Sequence, residues 1–398
     1  MALRATLDFM KTEASGGAAL ALAALAALVL ANSPAAHLYF SVLDARYAVQ
    51  IGGFAETLSL RDWVADGLMA VFFFVVGLEL KQEVLKGELS SPRKLALPVG
   101  AAVGAMIGPA AVYLALNAGP GGAVQGWPIG AASDTALTLA ALALVGRGLP
   151  EALRLFLLTS IVAGVAGAAV LGAILFTGHV HAWSLVGAAL TLAALIGLSE
   201  WTEAPFLFRV LGFLALGAFT LKSGINTALA GFAAALTVPI GPRRPDQEGV
   251  LKHFMESVHP YVVFGVLPLF AFTAAGVRLA DTPLAAVASP IALGVAAGLV
   301  LGKPAGMLGA TWLMVRSGLA RRPTGAAWLD LLGVALLCGV GLSMSLYVGA
   351  LAFPQSQSLQ RAEVAIGALA GSLVSGLAGI GVLALAAARR EAARPPRG

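Results

Sequence analysis

The chain has 398 residues, 59% hydrophobic and 11% charged, with a formal net charge of +5 and a mean hydropathy of +0.89. Soluble domains carry about 25% charged residues, so this composition excludes a soluble globular fold and describes an integral membrane protein. One cysteine, Cys338, excludes a disulfide framework and a Cys-based zinc site, and the dispersed positive charges fit membrane topology better than nucleic-acid binding.

Apolar runs near bilayer length predict twelve spans, at roughly 14–32, 63–80, 95–116, 124–146, 152–177, 183–199, 206–221, 223–240, 257–279, 288–314, 328–353 and 362–388. Lys11, the run Ala18–Ala31 and Ser33-Pro34-Ala35-Ala36 have the outline of a secretory signal. With so many spans behind it, the run reads as a retained helix. Between spans one and two, residues 45–62 hold an alternating Tyr47–Ile51, a Gly52-Gly53 turn and Phe54–Leu60. That is the pattern of a β-hairpin, with an ordered loop as the plainer alternative. A two-stranded hairpin is marginal by itself, which points to a support such as a second subunit.

Span four opens on Trp127-Pro128-Ile129-Gly130-Ala131-Ala132-Ser133-Asp134-Thr135. An aspartate near the bilayer centre costs roughly 2.5–3.5 kcal/mol on the insertion scale. Pro128 and Gly130 lie one turn before it, where they open the backbone beside the charge. Span three carries Gly100, Gly104 and Gly108, and span ten carries Gly294, Gly298, Gly302 and Gly306. Each precedes an interrupted span: four, and eleven with Gly339-Val340-Gly341-Leu342-Ser343. Each set closes on a small-residue helix, five (Gly164, Ala168, Gly172) or twelve (Gly367, Gly371). Spans 3–5 and 10–12 therefore read as two copies of one unit, entered from opposite sides. Two crossing broken helices bring like dipole ends together. Asp134 and Lys303 are the acid and base placed to offset them, and ion handling is the competing role for both.

Charge gives the orientation. Nineteen of the 25 Lys and Arg fall in segments on the side shared by both termini, five on the other, and Lys303 lies within a span. By the positive-inside rule both ends are cytoplasmic. The five histidines (His37, His179, His181, His253, His259) fall in predicted loops or at helix ends with no metal-ligand spacing. Neither a nucleophile with its base nor a phosphate-binding loop is present, so no enzyme activity and no cofactor are expected.

Several long stretches resemble the bacterial NhaA-type Na+/H+ antiporters. They are Asp66–Glu83, Ala132-Ser133-Asp134-Thr135-Ala136, Leu221–Gly231, His259-Pro260-Tyr261, Leu267–Phe272, Gly302-Lys303-Pro304 and Cys338–Ser345, in family order and spanning essentially the whole chain. The inverted-repeat logic is general to such transporters. The resemblance implies an all-α integral membrane protein, one polytopic domain over 1–398. It implies about twelve helices, inverted repeats, two interrupted crossing helices and a basic cytoplasmic tail at 389–398. It further implies an inner-membrane homodimer stabilised by the hairpin, exporting cytoplasmic Na+ or Li+ for external H+ and regulating internal pH. The ion and proton pathway would fall on Asp134, Ser133 and Lys303, with no metal ligand beyond Asp134. The pH response at the cytoplasmic mouth would fall on Glu79, Glu83, Lys252 and His259.

One departure stands out. The family's paired aspartates in span five align with Gly164 and Val165, and Leu155–Gly178 contains no carboxylate. Asn226 replaces a family histidine, and Gln82 a family arginine. A dehydrating Na+ needs several oxygen ligands, so a transport-silent or altered-specificity paralogue stands beside the exchanger reading. In a reduced site Lys303 itself becomes a proton-carrier candidate.

Overall fold

The computed structural model describes residues 2–51, 54–86, 92–145, 149–177, 181–200, 206–241, 249–280 and 282–392. Each of the twelve apolar segments contains helix. Eight helices among the described residues are long and apolar enough to cross a membrane, and two bent pairs bring the number to ten. The remaining two are Phe206–Ser223 and Thr227–Thr237. The latter has 11 residues, about 16 Å of helix against a hydrocarbon thickness of about 30 Å, so span eight is shorter than its apolar run suggests.

Close packing divides the chain into two compact units, one comprising 1–21, 88–168 and 279–398, the other 22–87 and 169–278. The first unit holds both triplets of the internal repeat apart from the end of span five, from residue 169 on. Pro92–Asn117 (span three) packs along Lys303–Arg316 (the second half of span ten). Glycine makes this approach possible: a Cβ on Gly302 would fall 2.7 Å from the Pro109 Cα, and one on Gly306 2.9 Å from the Gly108 Cα. Such separations are closer than real Cβ contacts, so only backbone fits there. Residue numbers rise along one helix as they fall along the other, with Gly104 facing Ala310 and Gly108 facing Gly302. The leading helices of the two triplets are thus antiparallel, as an inverted repeat requires. Span twelve, Ser358–Ala392, packs on the same assembly, with Gly367 against Val295 and Gly371 against Ala296.

The second unit has its own core of Phe74, Leu78, Leu195, Leu216, Ala235 and Phe254. Met69–Lys86 and Thr227–Thr237 meet at Gly77, whose added Cβ would lie 2.6 Å from the Ala235 Cβ. Arg46–Ile51 pairs antiparallel with Phe54–Ser59 in the register Arg46↔Ser59 to Ile51↔Phe54; the Gly52-Gly53 turn lies outside the described residues. Span nine is reached by a helix that begins at Val250, seven residues before the apolar run. His253 and His259 consequently lie within a helix, contrary to their reading as loop or terminal residues. The first turns are amphipathic, so a search for continuous apolar runs passes over them. Of the remaining histidines His179 lies outside the described residues, as do 393–398 of the basic tail. Arg389 and Arg390 form the last turn of span twelve.

Candidate functional site

Span four is built as a 3-10 segment Val124–Gly130, a non-helical stretch through Asp134, and a helix Thr135–Val145. Its two halves are bent by 43°. Span eleven is Trp328–Cys338 and Leu342–Ala352, bent by 47° around Gly339-Val340-Gly341. The two breaks lie against each other: Asp134 N donates to Val340 O at 3.0 Å, and Ser345 Oγ donates to Ile129 O at 3.2 Å.

Each broken helix exposes backbone groups that have no intrahelical partner, and inside a bilayer they need one. At the end of Trp328–Cys338, Ser133 Oγ donates to Cys338 O at 2.7 Å. Thr138 Oγ1 donates to Leu337 O at 3.2 Å, and Ser375 Oγ of span twelve donates to Leu336 O at 2.8 Å. Three hydroxyls from two other spans thus bond the last carbonyls of this half-helix, of which Leu336 O and Leu337 O also accept from Gly339 N and Val340 N. At the start of Leu342–Ala352, Asp134 Oδ2 accepts from Ser343 N at 2.6 Å and Oδ1 accepts from the Ser343 hydroxyl. Gly341 N donates to Ser372 Oγ at 3.2 Å. Lys303 is 0% exposed and its ammonium donates to Ala132 O, just past the 3-10 segment of span four.

The sequence left two roles open for Asp134 and Lys303, and the observed contacts favour dipole compensation. Asp134 places its negative charge on a helix N-terminus and Lys303 its positive charge on backbone oxygen after a helical segment. The two also interact with each other electrostatically. Asp134, Ser133 and Lys303 are all buried and belong to one network. Ser343, Thr138, Ser345, Ser372 and Ser375 complete it and were missed from sequence. The signal for Ser343 was its position just after the Gly-Val-Gly break, where capping residues occur.

Span five is the helix Glu151–Leu175. Gly164 is buried, yet an added Cβ would meet no heavy atom within 4 Å. Val165, its neighbour, is 1% exposed. Among the described residues no group of three or more His, Cys, Asp or Glu is arranged to hold a metal ion.

The residues expected at the cytoplasmic mouth separate into pairs within the second unit. Glu79 and His259 face each other, with Oε1 to Nε2 at 3.7 Å. Lys252 pairs with Glu256 one helical turn away at 3.5 Å, while Glu83 is half-buried on the helix that carries Glu79. Asn226, at the position of the family's histidine, is an N-cap: its side chain accepts from Ala228 N at 2.9 Å. Lys81 closes the opposite end of the same short helix, donating to Leu236 O and, at 2.7 Å, to Val238 O.

The family model described as Na+/H+ antiporter 1 matches residues 7–383. A protein named Na(+)/H(+) antiporter NhaA from Rhodospirillum rubrum is 43% identical over 399 residues, covering 99% of this chain and 100% of the relative. A protein of the same name from Pseudomonas putida is 41% identical over 379 residues, 95% of this chain and 96% of its own. A Na(+)/H(+) antiporter NhaA 2 from Pseudomonas syringae is 42% identical over 378 residues, covering 94% and 93%. Antiparallel glycine-packed helices, two breaks that cap one another and likeness from end to end agree, and the chain belongs to the NhaA-type Na+/H+ antiporter family.

Proposed function

We propose that the protein is a secondary active transporter of the inner membrane that exchanges cytoplasmic Na+ for external H+. The observation that carries this reading is the pair of mutually capped broken helices in a chain similar over its full length to proteins named as Na+/H+ antiporters. In it Asp134 and Lys303 set the charge of the crossing, and Ser133 adds a hydroxyl beside the break. Li+ is a second substrate on the same grounds. Glu79, Glu83, Lys252 and His259 bear on the pH response, and exchange contributes to control of internal pH. Both termini are cytoplasmic, as the Lys and Arg distribution supports. The exposed hairpin, with Tyr47 and Val49 on its surface, serves a homodimer.

One observation favours a second reading, a paralogue that is silent or altered in specificity. Gly164 and Val165 carry no charge, and both Asp134 oxygens are already engaged by the helix they cap. Everted membrane vesicles decide between the two. With an imposed acid-inside pH gradient, addition of Na+ or Li+ dissipates the gradient if the exchanger reading holds. No response to Na+, Li+ or K+ from neutral to alkaline pH, with the protein verified in the membrane, sustains the silent reading. A response to K+ alone sustains altered specificity.

A further inference from the structure

Away from the crossing, Lys303–Arg316 packs beside Trp328–Cys338, the first half of broken span eleven. Between them lies an open groove of about 490 Å³, lined by Leu308, Gly309, Trp312, Trp328, Leu329 and Leu332. Both tryptophans are exposed. A Cβ added at Gly309 would meet nothing within 4 Å, so the glycine leaves the groove unfilled. Leu308, Trp312 and Arg316 follow one another at four-residue spacing and form one row along the helix. That row is about 12 Å long, close to the depth of one hydrocarbon leaflet, about 15 Å. Its far end is Arg316, in the last turn.

Positive charge collects at that end. After Arg316 the chain folds back on its helix: Ser317 N donates to Leu313 O at 2.9 Å and Ala320 N to Met314 O at 3.2 Å, with Gly318 at φ +75°, a conformation glycine adopts freely. Arg321 is thereby held near the helix end, with Arg322 next to it. Residues 316–327 contain these three arginines and no acid. All three are exposed, and among the described residues none of them forms an ion pair. The next acid in the chain, Asp330, is buried. Its oxygens are taken by Arg390 and, at 2.9 Å, by Ala327 N, so it offers the arginines no counter-charge at the surface.

Arginines at the ends of spans ordinarily report topology, and tryptophans there an interfacial belt. A groove of leaflet depth that runs from apolar walls to a cluster of arginines does more. We propose that it holds one acyl chain of an anionic phospholipid, with the phosphate among Arg316, Arg321 and Arg322. The chain lies along Leu308 and Trp312, and the indole rings stand at headgroup depth, where an apolar body with a polar edge is suited. Guanidinium matches phosphate oxygens two at a time, and basic pockets between membrane helices recruit anionic headgroups. A zwitterionic lipid fits the same walls, but its ammonium offsets its phosphate, so charge selects the occupant. The bound lipid braces the first half of span eleven against the helix that begins at Lys303. The site does not depend on the exchanger reading.

The test uses the full-length protein purified in dodecyl maltoside and melted as dioleoyl phosphatidylglycerol, dioleoyl phosphatidylcholine or inorganic phosphate is added. Wild type should show a saturable rise in melting temperature with phosphatidylglycerol and a much weaker one with phosphatidylcholine. Each arginine near an anionic headgroup is worth about fivefold in affinity, so Arg321→Gln with Arg322→Gln should raise the half-saturating concentration about thirtyfold. Arg243→Gln with Arg244→Gln, the same loss of charge in another segment on that side, should leave it unchanged. Gly309→Leu fills the groove and should abolish the rise while melting at or above wild type without lipid. If that variant does not fold, Trp312→Ala removes one wall and should weaken the response. Equal rises with the two lipids would overturn the proposal, as would equal losses in the two arginine pairs. A matching rise with inorganic phosphate alone would assign the arginines to a free anion and overturn the lipid. A full response in both Gly309→Leu and Trp312→Ala would show that no chain enters the groove. A changed oligomeric mass in Gly309→Leu with no lipid response in wild type would make this face a contact between copies instead.

Discussion

Replacing Asp134 by Asn and by Ala separates the charge of the crossing from its hydrogen bonds. In the wild type the carboxylate accepts from Ser343 N at 2.6 Å and from the Ser343 hydroxyl. Asn keeps one oxygen for the backbone N–H. A serine hydroxyl accepts as readily as it donates, so it can turn to receive the amide NH2. Geometry is then preserved and the loss is the charge: about 0.5–2 kcal/mol for a partly buried helix terminus, and about 1 kcal/mol for exchanging charge-assisted for neutral bonds. Asp134→Asn should therefore cost about 1.5–3 kcal/mol. Ala removes both acceptors, leaves the Ser343 N–H buried and unpaired, and strips Lys303 of its opposite charge, for about 4 kcal/mol or more. Melting curves followed by fluorescence-detected size exclusion should rank wild type above Asn and Asn above Ala. If Asn melts like wild type while Ala does not, dipole compensation is wrong and only the bonds matter. If both melt like wild type and lose only exchange, the cap itself is wrong and Asp134 is an ion ligand alone.

Other perturbations follow from the same geometry. In span five, Gly164→Asp places its side chain in open space and should fold, whereas Val165→Asp buries a charge at a 1% exposed position and should lower folded yield; the pair together should strengthen the Na+ response of vesicles if the remaining site is intact. Gly306→Ala should cost at least about 1–3 kcal/mol, because a Cβ there sits 2.9 Å from the Gly108 Cα. Gly309→Ala on the same helix meets nothing within 4 Å and should melt at or above wild type, which makes it the control for glycine removal. For the short helix Thr227–Thr237, Asn226→Ala should cost about 1 kcal/mol as a lost N-cap, and an unchanged melting temperature would remove that role.

Hydropathy made the spans legible because the bilayer imposes a length on apolar runs whatever their partners. Pro128-Ile129-Gly130 and Gly339–Ser343 marked the breaks because those residues cannot continue a regular helix in hydrocarbon without outside donors or acceptors. Glycines 100, 104 and 108 and glycines 294 to 306 marked two copies of one unit, without showing that their helices pack on each other. What sequence withheld is pairing. Asp134 and Ser343 stand 209 positions apart, and Ser133 and Cys338 stand 205 apart. The chain shows that each is polar at membrane depth without showing which atom faces which. Glu79 and His259 were marked as family positions but not as each other's partners. The helix beginning at Val250 escaped because its first turns are amphipathic, and Asn226 was read as a lost histidine where the structure uses it as a cap.

The network at the crossing explains how this chain keeps its fold with Gly164 and Val165 in span five. Among the described residues, the side chains that bond across the two breaks come from spans four, ten, eleven and twelve: Ser133, Asp134 and Thr138, then Lys303, then Ser343 and Ser345, then Ser372 and Ser375. Span five enters through packing, with a Cβ at Gly167 placed 3.0 Å from the Met106 sulfur. Carboxylates in span five would add unpaired charge to the interior whenever no cation or proton is bound, and their absence relieves that cost while leaving the caps untouched. The contacts that close the crossing therefore lie outside span five. A chain can keep those contacts at full strength while the residues of span five change.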